Sequence, residues 1–192
     1  MSQYSYNATL FTLQAAGPTL TAAAAASMLV AASPLAGQNR YTIPAGIFKV
    51  GDKLRFSASG IHSVAVTTPG TLRFDLRLGS TVVFDTQAIT LETANALTNV
   101  GWLLEVDLTI RSIGATTAAT LWAQGKIFTG ALVGAGLASA GSVGVAVVPW
   151  NAVPAISSGF DSTIANLFDA FFTQTVATGS LTCEQADLTL LT

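Results

Sequence analysis

The chain offers few side chains that could do catalytic chemistry. His62 is the only histidine and Cys183 the only cysteine in 192 residues. A Ser-His-Asp arrangement would have to use His62, but the sequence contains no GxSxG segment to carry the serine. We predict that His62 lies in an exposed loop or on an edge strand. Cys183 has no basic partner nearby in the sequence that would activate it, which favours a structural thiol within a strand.

Carboxylates are the other candidates for acid–base chemistry or metal binding. Glu105 and Asp107 alternate along one segment and would share one face of a strand, where paired carboxylates can act together. Arg111 continues the same row, and a row of mixed charge is more typical of a structural face. The acids of the C-terminal third lack the spacing of a calcium loop, although a calcium site built from them stays open as an alternative. They are Asp161, Asp169, Glu184 and Asp187.

The segment "GAGLASAGSVG", residues 134–144, loosely matches a nucleotide-binding glycine loop. A phosphate loop needs a Gly-Lys-Ser/Thr end, which is absent, and a dinucleotide loop should open a helix. Here strand-like residues and Pro149 follow, which favours a loop at an interface. We therefore predict that the chain is not an enzyme and has no cofactor or metal site.

Composition indicates a folded protein with an unusually neutral surface. Hydrophobic residues make up 51 % of the chain, but charged residues only 9 %, where about 25 % is typical. The net charge of -2 gives little repulsion between copies, and permanent interfaces are depleted of charge. We predict an assembly with copies of itself, and a Thr- and Ser-coated monomer is the alternative. Eight basic residues and a pI near 5.1 argue against nucleic-acid binding.

Two-residue alternation predicts eight or nine strands, which is typical of an antiparallel sandwich or barrel. In "TLRFDLRLG", residues 71–79, the leucines and Phe74 share one face and the charged residues share the other. The segment 100–114 alternates in the same way, and Gly79-Ser80 predicts a hairpin. If the two long strands are neighbours, opposite charges can face each other across them. We predict interaction residues on these faces, with a solvated face as the alternative. They are Arg73, Asp75, Arg77, Glu105, Asp107 and Arg111. Trp150, outside these strands, is a further candidate interaction residue.

The first 39 residues carry no charged side chain. We predict an extended arm over residues 1–40 that docks elsewhere, followed by the sandwich over residues 41–192. A first strand followed by a connection is the alternative. The anchoring residues of the arm would be Tyr4, Tyr6, Leu10 and Phe11. Near the other end, "DSTIANLF", residues 161–168, predicts either a helical turn capped by Asp161 or Ser162, or a loop entering the next strand.

Two apolar stretches could suggest export or a membrane. Residues 19–37 lack the basic leader of a secretory signal, so we predict no signal peptide there. Residues 127–150 are uncharged and long enough to span a bilayer, but they contain five glycines and few large aliphatic residues. A Gly-rich loop followed by a buried strand at 143–148 is the favoured interpretation. A membrane span stays an alternative on length alone.

An ordered set of segments resembles a family of structural proteins from tailed bacteriophages. The resemblance covers about residues 40–192, and it depends on the order of the set because no single motif is diagnostic. The segments are "RYTIPAGIFKVGDKLRFSASGIHS", "TPGTLRFDLRLGSTVVFDTQAITL", "TNVGWLLEVDLTIRSIGATTAATLWAQGKI" and "GFDSTIANLFDAFFTQTVATGSLTCEQADLTL". The resemblance implies a virion structural protein with a β-sandwich, specifically jelly-roll, fold and no enzymatic activity.

From this resemblance and the low charge we expect a capsid decoration (cement) protein. It would be made in the host cytoplasm and sit as a homotrimer on the outside of the virion head, against the major capsid protein. One alternative is a head-fibre, tail or baseplate component that binds host glycans, with Trp122, Trp150 and Phe160 as candidate contacts. Another class of alternative is a cellular β-sandwich carbohydrate-binding module or hydrolase.

Overall fold

The described part of the chain folds into β-structure, and two antiparallel sheets pack against each other as a sandwich. The computed structural model describes residues 7–29, 40–91, 95–132 and 144–192. The all-β, antiparallel sandwich predicted from the two-residue alternation is confirmed. The strands are β1 (Asn7–Thr12), β2 (Ala26–Ser27), β3 (Tyr41–Ile43), β4 (Lys53–Val64), β5 (Thr71–Leu78), β6 (Thr81–Asp85), β7 (Ile89–Thr90), β8 (Leu97–Ser112), β9 (Thr120–Thr129), β10 (Val145–Val148), β11 (Asn166–Gln174) and β12 (Ser180–Leu191).

Each sheet has a defined strand order. Sheet A has six strands in the order β1-β12-β4-β8-β9-β10, and its longest pairings are β12 with β4 and β4 with β8. Sheet B has the order β2-β11-β5-β6, while β3 also pairs with β11 and β7 with β5. Neighbours in the sheets are mostly distant along the chain, so the order depends on packing rather than on local turns.

The core lies between the sheets, because alternate side chains of the long strands β4, β8 and β9 point inward. In β4, Leu54 and Phe56 are fully buried. Aromatic rings join the two sheets across this interior: the ring centroids of Phe56 and Phe168 lie 5.3 Å apart, and those of Phe74 and Trp102 lie 5.2 Å apart. These contacts add to the burial of apolar surface and hold the sheets in register.

Glycine permits two features of the backbone. Gly79 adopts φ +61° in the turn that joins β5 to β6, so the hairpin predicted at Gly79-Ser80 is confirmed. Gly60 lies in β4 opposite a bulge between Cys183 and Gln185 of β12. A Cβ atom at position 60 would collide with the Thr182 backbone, so only glycine allows the two strands to approach there.

The segment 7–29 belongs to the sandwich, which corrects the expectation of an extended arm over residues 1–40. β1 pairs with β12 at one edge of sheet A, and β2 pairs with β11 at one edge of sheet B. Between them, Leu20 bridges Leu181 of β12. The alternative, a first strand followed by a connection, describes this segment correctly, and it closes one open side of the sandwich.

Side chains of this segment enter the core. Met28 is fully buried, and Phe11 is almost fully buried with its ring centroid 6.2 Å from that of Phe168. Leu10 is half-buried and packs against the same core. Tyr4 and Tyr6 lie outside the described residues. The apolar residues of the segment therefore stabilise the fold of their own chain.

The segment 161–168 forms no helical turn. A turn leads directly into β11, which confirms the alternative of a loop entering the next strand. The Ser162 hydroxyl does not cap a helix, because it lies 2.9 Å from the Gly114 backbone nitrogen and accepts its hydrogen bond. The Asp161 carboxylate instead accepts hydrogen bonds from Thr163 and from the Thr116 backbone. These contacts tie the turn between β8 and β9 to the start of β11.

The stretch 127–150 contributes to strands at both of its ends. Ile127 and Phe128 lie in β9 and pair with β10, while residues 133–143 of the expected glycine loop lie outside the described residues. The strand expected to be buried at 143–148 is half-exposed, since Val145 and Val147 face solvent at the edge of sheet A. Within the described ranges, no helix is long and apolar enough to span a bilayer.

We predict that Met28→Ala lowers the free energy of unfolding by about 2–5 kcal/mol, because it leaves a cavity in the core. Denaturant titration followed by circular dichroism measures the change. Thr12→Ala in the same segment is the matched control, and since Thr12 is exposed it should cost less than about 0.5 kcal/mol. Equal stability of the Met28→Ala variant and the wild-type chain would show that the segment is a detached arm.

Candidate functional site

The outer face of sheet A carries a compact group of charged side chains. The register of β4, β8 and β9 places Arg55 opposite Asp107 and Glu105 opposite Lys126. Arg55 Nε donates to Asp107 Oδ1 at 2.8 Å, and Lys126 Nζ lies 2.7 Å from Glu105 Oε2. The hydrogen bond from Arg55 to Asp107 is the main cause of a raised pKa at Arg55. Arg55, Asp107 and Lys126 are exposed and Glu105 is half-buried, so each pair contributes little to stability.

A shallow groove of about 610 Å³ crosses this charged group. Beside the two ion pairs it is lined by Thr109, Trp122, Gln124 and Val147. Trp122 lies directly opposite Thr109 on the neighbouring strand. An aromatic surface next to hydrogen-bonding side chains suits a flat ligand that has both apolar faces and polar edges.

The outer face of sheet B holds a second group of ion pairs. Arg73 pairs with Asp85 of β6, and Arg77 pairs with Asp75 of its own strand. The guanidinium carbon of Arg77 also lies 3.6 Å from the centre of the Phe171 ring. Asp75 is almost fully buried, so its carboxylate depends on Arg77 for compensation of its charge.

Asp169 is the second buried carboxylate of this face. Burial raises its pKa, which hydrogen bonds from Ser27 and Arg40 partly offset. Ser27 Oγ donates to Asp169 Oδ1 at 2.6 Å, and Arg40 Nη1 donates to Asp169 Oδ2 at 3.2 Å. Because Ser27 comes from the N-terminal segment, this cluster fixes that segment to β11.

The two charged strands recognised in the sequence are not neighbours, so the condition for charge pairing between them is not met. β5 belongs to sheet B and β8 to sheet A, so Arg73, Asp75 and Arg77 cannot face Glu105 and Asp107 across a ladder. Opposite charges do meet, but within each sheet. The partners of these residues are Arg55, Asp85 and Lys126. The alternation of each strand does not show which strand lies beside it, so the sequence alone could not identify these pairs.

The other predicted interaction residues are spread over the surface. Arg111 is exposed near the end of β8, and among the described residues no acid forms an ion pair with it. Trp150 is half-buried, and its backbone nitrogen donates to the Thr86 carbonyl at 2.8 Å. Trp122 is the only one of the three glycan candidates that lines the groove; Phe160 is buried in the core.

His62 is buried, which corrects its expected place in an exposed loop or edge strand. It lies in β4 between β12 and β8, on the inward face, with about 1 % of its surface exposed. Neither ring nitrogen has a hydrogen-bond partner among the described residues. Burial lowers the pKa of His62 to about 4, since a charged imidazole would lose its hydration without a counter-ion.

Cys183 is a buried free thiol, as a structural role predicts. Its Sγ lies 3.4 Å from the Gln185 carbonyl, to which it donates. Burial raises the pKa of Cys183 to about 12, so the thiolate form that could attack a substrate is not populated at neutral pH. Within the described ranges, no group of three His, Cys, Asp or Glu side chains is placed to hold a metal ion, and the acids of the calcium alternative do not form one.

We predict that His62 makes the fold acid-sensitive. An unfolded chain protonates His62 near pH 6.5, whereas the folded chain does so only near pH 4, so stability falls by up to about 3 kcal/mol as the pH drops between these values. Urea titrations of the wild-type chain and of His62→Leu from pH 7.5 to pH 4 measure this effect. The stability difference between the two proteins should grow in favour of the variant as the pH falls, and parallel curves would contradict the prediction.

We predict that the ion pair Arg77–Asp75 contributes more to the free energy of unfolding than the ion pair Arg55–Asp107. Arg77→Ala leaves the Asp75 carboxylate buried without its cation and should cost about 3 kcal/mol. Arg55→Ala breaks an exposed pair and should cost less than about 1 kcal/mol. Denaturant titrations of both variants at pH 7 test this, and equal costs would show that Asp75 does not depend on Arg77.

In the described part of the chain, ion pairs thus form within each sheet rather than between the sheets. The two pairs of sheet A line the groove of about 610 Å³, and the pair Arg73–Asp85 of sheet B lines a smaller cleft beside β6. No protein-family model, no curated protein and no solved structure matches the chain.

Proposed function

We propose that this chain is a structural subunit of a bacteriophage virion, specifically a capsid decoration (cement) protein. It would sit as a trimer on the outside of the head and contact the major capsid protein. The sandwich would be a jelly roll in the sense of the phage structural proteins that the sequence resembles.

The internal pairing of charges is the observation that carries this proposal. Within the described residues, five ion pairs engage ten side chains, and the whole chain has only eight basic and ten acidic residues. A surface with few charges, most of them paired, loses less hydration energy when another protein covers it than a surface with many unpaired charges. This chain is therefore suited to permanent contact with neighbouring subunits.

The mechanism of such a protein is mechanical. Each subunit contributes contacts that are individually weak, and a trimer makes three sets of them at once. Because the second and third sets form within an assembled particle, their effective concentration is high and the attachment becomes firm. The sandwich supplies a rigid body whose core holds the contact surfaces in fixed positions.

The groove on sheet A supports a second candidate, a head-fibre, tail or baseplate component that binds host glycans. A sugar ring presents apolar C–H groups that can pack on Trp122, and hydroxyl groups that can bond to Gln124, Arg55 and Asp107. A glycan array probed with the purified chain and with Trp122→Ala tests this candidate. A cellular carbohydrate-binding module would use the same groove, and a hydrolase would require turnover in a glycosidase screen.

We predict that the chain is found on the outside of purified phage heads and that the free protein is a trimer. Cryo-electron microscopy of particles from the phage that encodes it locates the subunit, and light scattering gives the mass of the free protein. Density for three sandwiches above the capsid lattice would support the proposal. Absence of the chain from purified particles would overturn it, whereas density only on the tail would favour the glycan-binding candidate.

A further inference from the structure

The edge of sheet A beside β9 exposes several large apolar side chains. Among the described residues, nine large hydrophobic side chains are exposed, and four of them lie between residues 145 and 156. Their exposed fractions range from 40 % to 87 %. We call these four the edge patch: Val145, Val147, Val153 and Ile156.

The edge patch is continuous with one outer face of the sandwich. β10 pairs with residues 125–128 of β9, and Ile156 then pairs with Trp122, so the chain follows β9 again after a short excursion. Val147 lies opposite Lys126, and Val145 lies opposite Phe128. The β9 partners of Val145 and Ile156 are Phe128 and Trp122. Because a strand rises about 3.4 Å per residue, the line from Val145 to Ile156 along β9 is about 20 Å long.

The excursion 149–155 closes this side of the sandwich. The Trp150 backbone nitrogen bonds to Thr86, which follows β6 of sheet B. A cleft of about 400 Å³ between the excursion and β6 is lined by Phe84, Val153 and Ile156. The excursion therefore holds part of the edge patch in a fixed position between the two sheets.

The edge lacks one usual protection against association, a charged residue. Edge strands often carry a lysine that prevents pairing with another chain; here the shortness of β10 and the adjacent Pro149 limit backbone pairing but leave the apolar side chains exposed. Here no charged residue occurs between Lys126 and Asp161. β1, the opposite edge of sheet A, is also uncharged, but it exposes the polar residues Asn7, Thr9 and Thr12, which gain little by leaving water.

We propose that the edge patch is the surface through which copies of this chain associate, around a symmetry axis that runs beside β10. A cyclic axis brings the same residues of each copy close together, so a charge near the axis would meet like charges. The edge patch itself carries no charge, and charged side chains beside it form ion pairs with each other. Lys126, opposite Val147, lies 2.7 Å from Glu105, while Arg73 and Asp85, which pair with each other, line the cleft beside Val153 and Ile156. A second copy is therefore the partner that this surface fits.

This inference rests on the proposed role as an assembling subunit and names the surface that the assembly uses. The free protein should sediment as a multiple of 19.6 kDa, which the proposal sets at three copies. Val147→Lys should raise the dissociation constant of the assembly by at least about 100-fold, because a central apolar contact becomes a cluster of like charges. Analytical ultracentrifugation over a range of concentrations measures this constant.

Ile164→Lys is the matched control, because Ile164 is another exposed β-branched residue and lies outside the edge patch. It should leave the dissociation constant within about twofold of the wild-type value. A wild-type chain that stays monomeric at the highest concentration of the ultracentrifugation series would overturn the inference. Equal dissociation constants for the two variants would overturn it as well. Assembly that resists Val147→Lys would leave the virion role untouched, since the location of the subunit on particles tests that role separately.

Chemical cross-linking provides a second measurement that does not depend on a weakened assembly. The single natural thiol, Cys183, is buried, so a cysteine introduced at the surface is the reactive one. Val147→Cys treated with a short bis-maleimide should give covalent dimers, whereas Ile164→Cys should give few. Equal cross-linking of the two variants would contradict the proposed axis. When the same reagent is applied to purified particles that carry Val147→Cys, cross-linking only to another virion protein would overturn the proposed self-association and identify that protein as the partner of the edge patch.

Discussion

Burial of one face of each long strand is the constraint on which the rest of the structure depends. A shift of one residue between β4 and β8 would turn their apolar side chains outward and their charged side chains into the core. The register that buries Phe56 against Val106 therefore also sets Arg55 opposite Asp107. Exposed ion pairs of this kind add little stability, but they penalise incorrect registers. The arrangement of charges is a consequence of the core.

The same constraint explains how the two sides of the sandwich are closed. On one side, the N-terminal segment runs from sheet A to sheet B and places Met28 in the core. On the other side, the excursion 149–155 connects β10 to the region of β6. The first closure buries its apolar residues, while the second leaves Val145 and Val147 exposed. This difference makes the β9 side, rather than the N-terminal side, the better candidate for the proposed contact with a second copy.

His62 and Ser162 show where residue type alone misleads. A histidine after "SGI" suggests an exposed position, yet β4 runs unbroken from Lys53 to Val64, and the alternation places His62 on the same face as Phe56. The alternation of β4 therefore predicts that His62 is buried. An exposed position is expected from residue type instead, because a buried polar side chain without a hydrogen-bond partner is rare. Ser162 could cap a helix, but its hydroxyl contacts Gly114, which is distant in sequence. Local propensity could not foresee that contact.

The sequence by itself determined the fold class, the alternating faces of the long strands, the Gly79-Ser80 hairpin and the scarcity of charge. These properties follow from side-chain period and composition, which are local. Only the tertiary structure decided that β5 and β8 lie in different sheets, that Trp122 lines a groove and that residues 7–29 join the core. Alternation states which face of a strand is buried, but not which strand lies beside it. Strand order depends instead on how the whole set of apolar faces packs together.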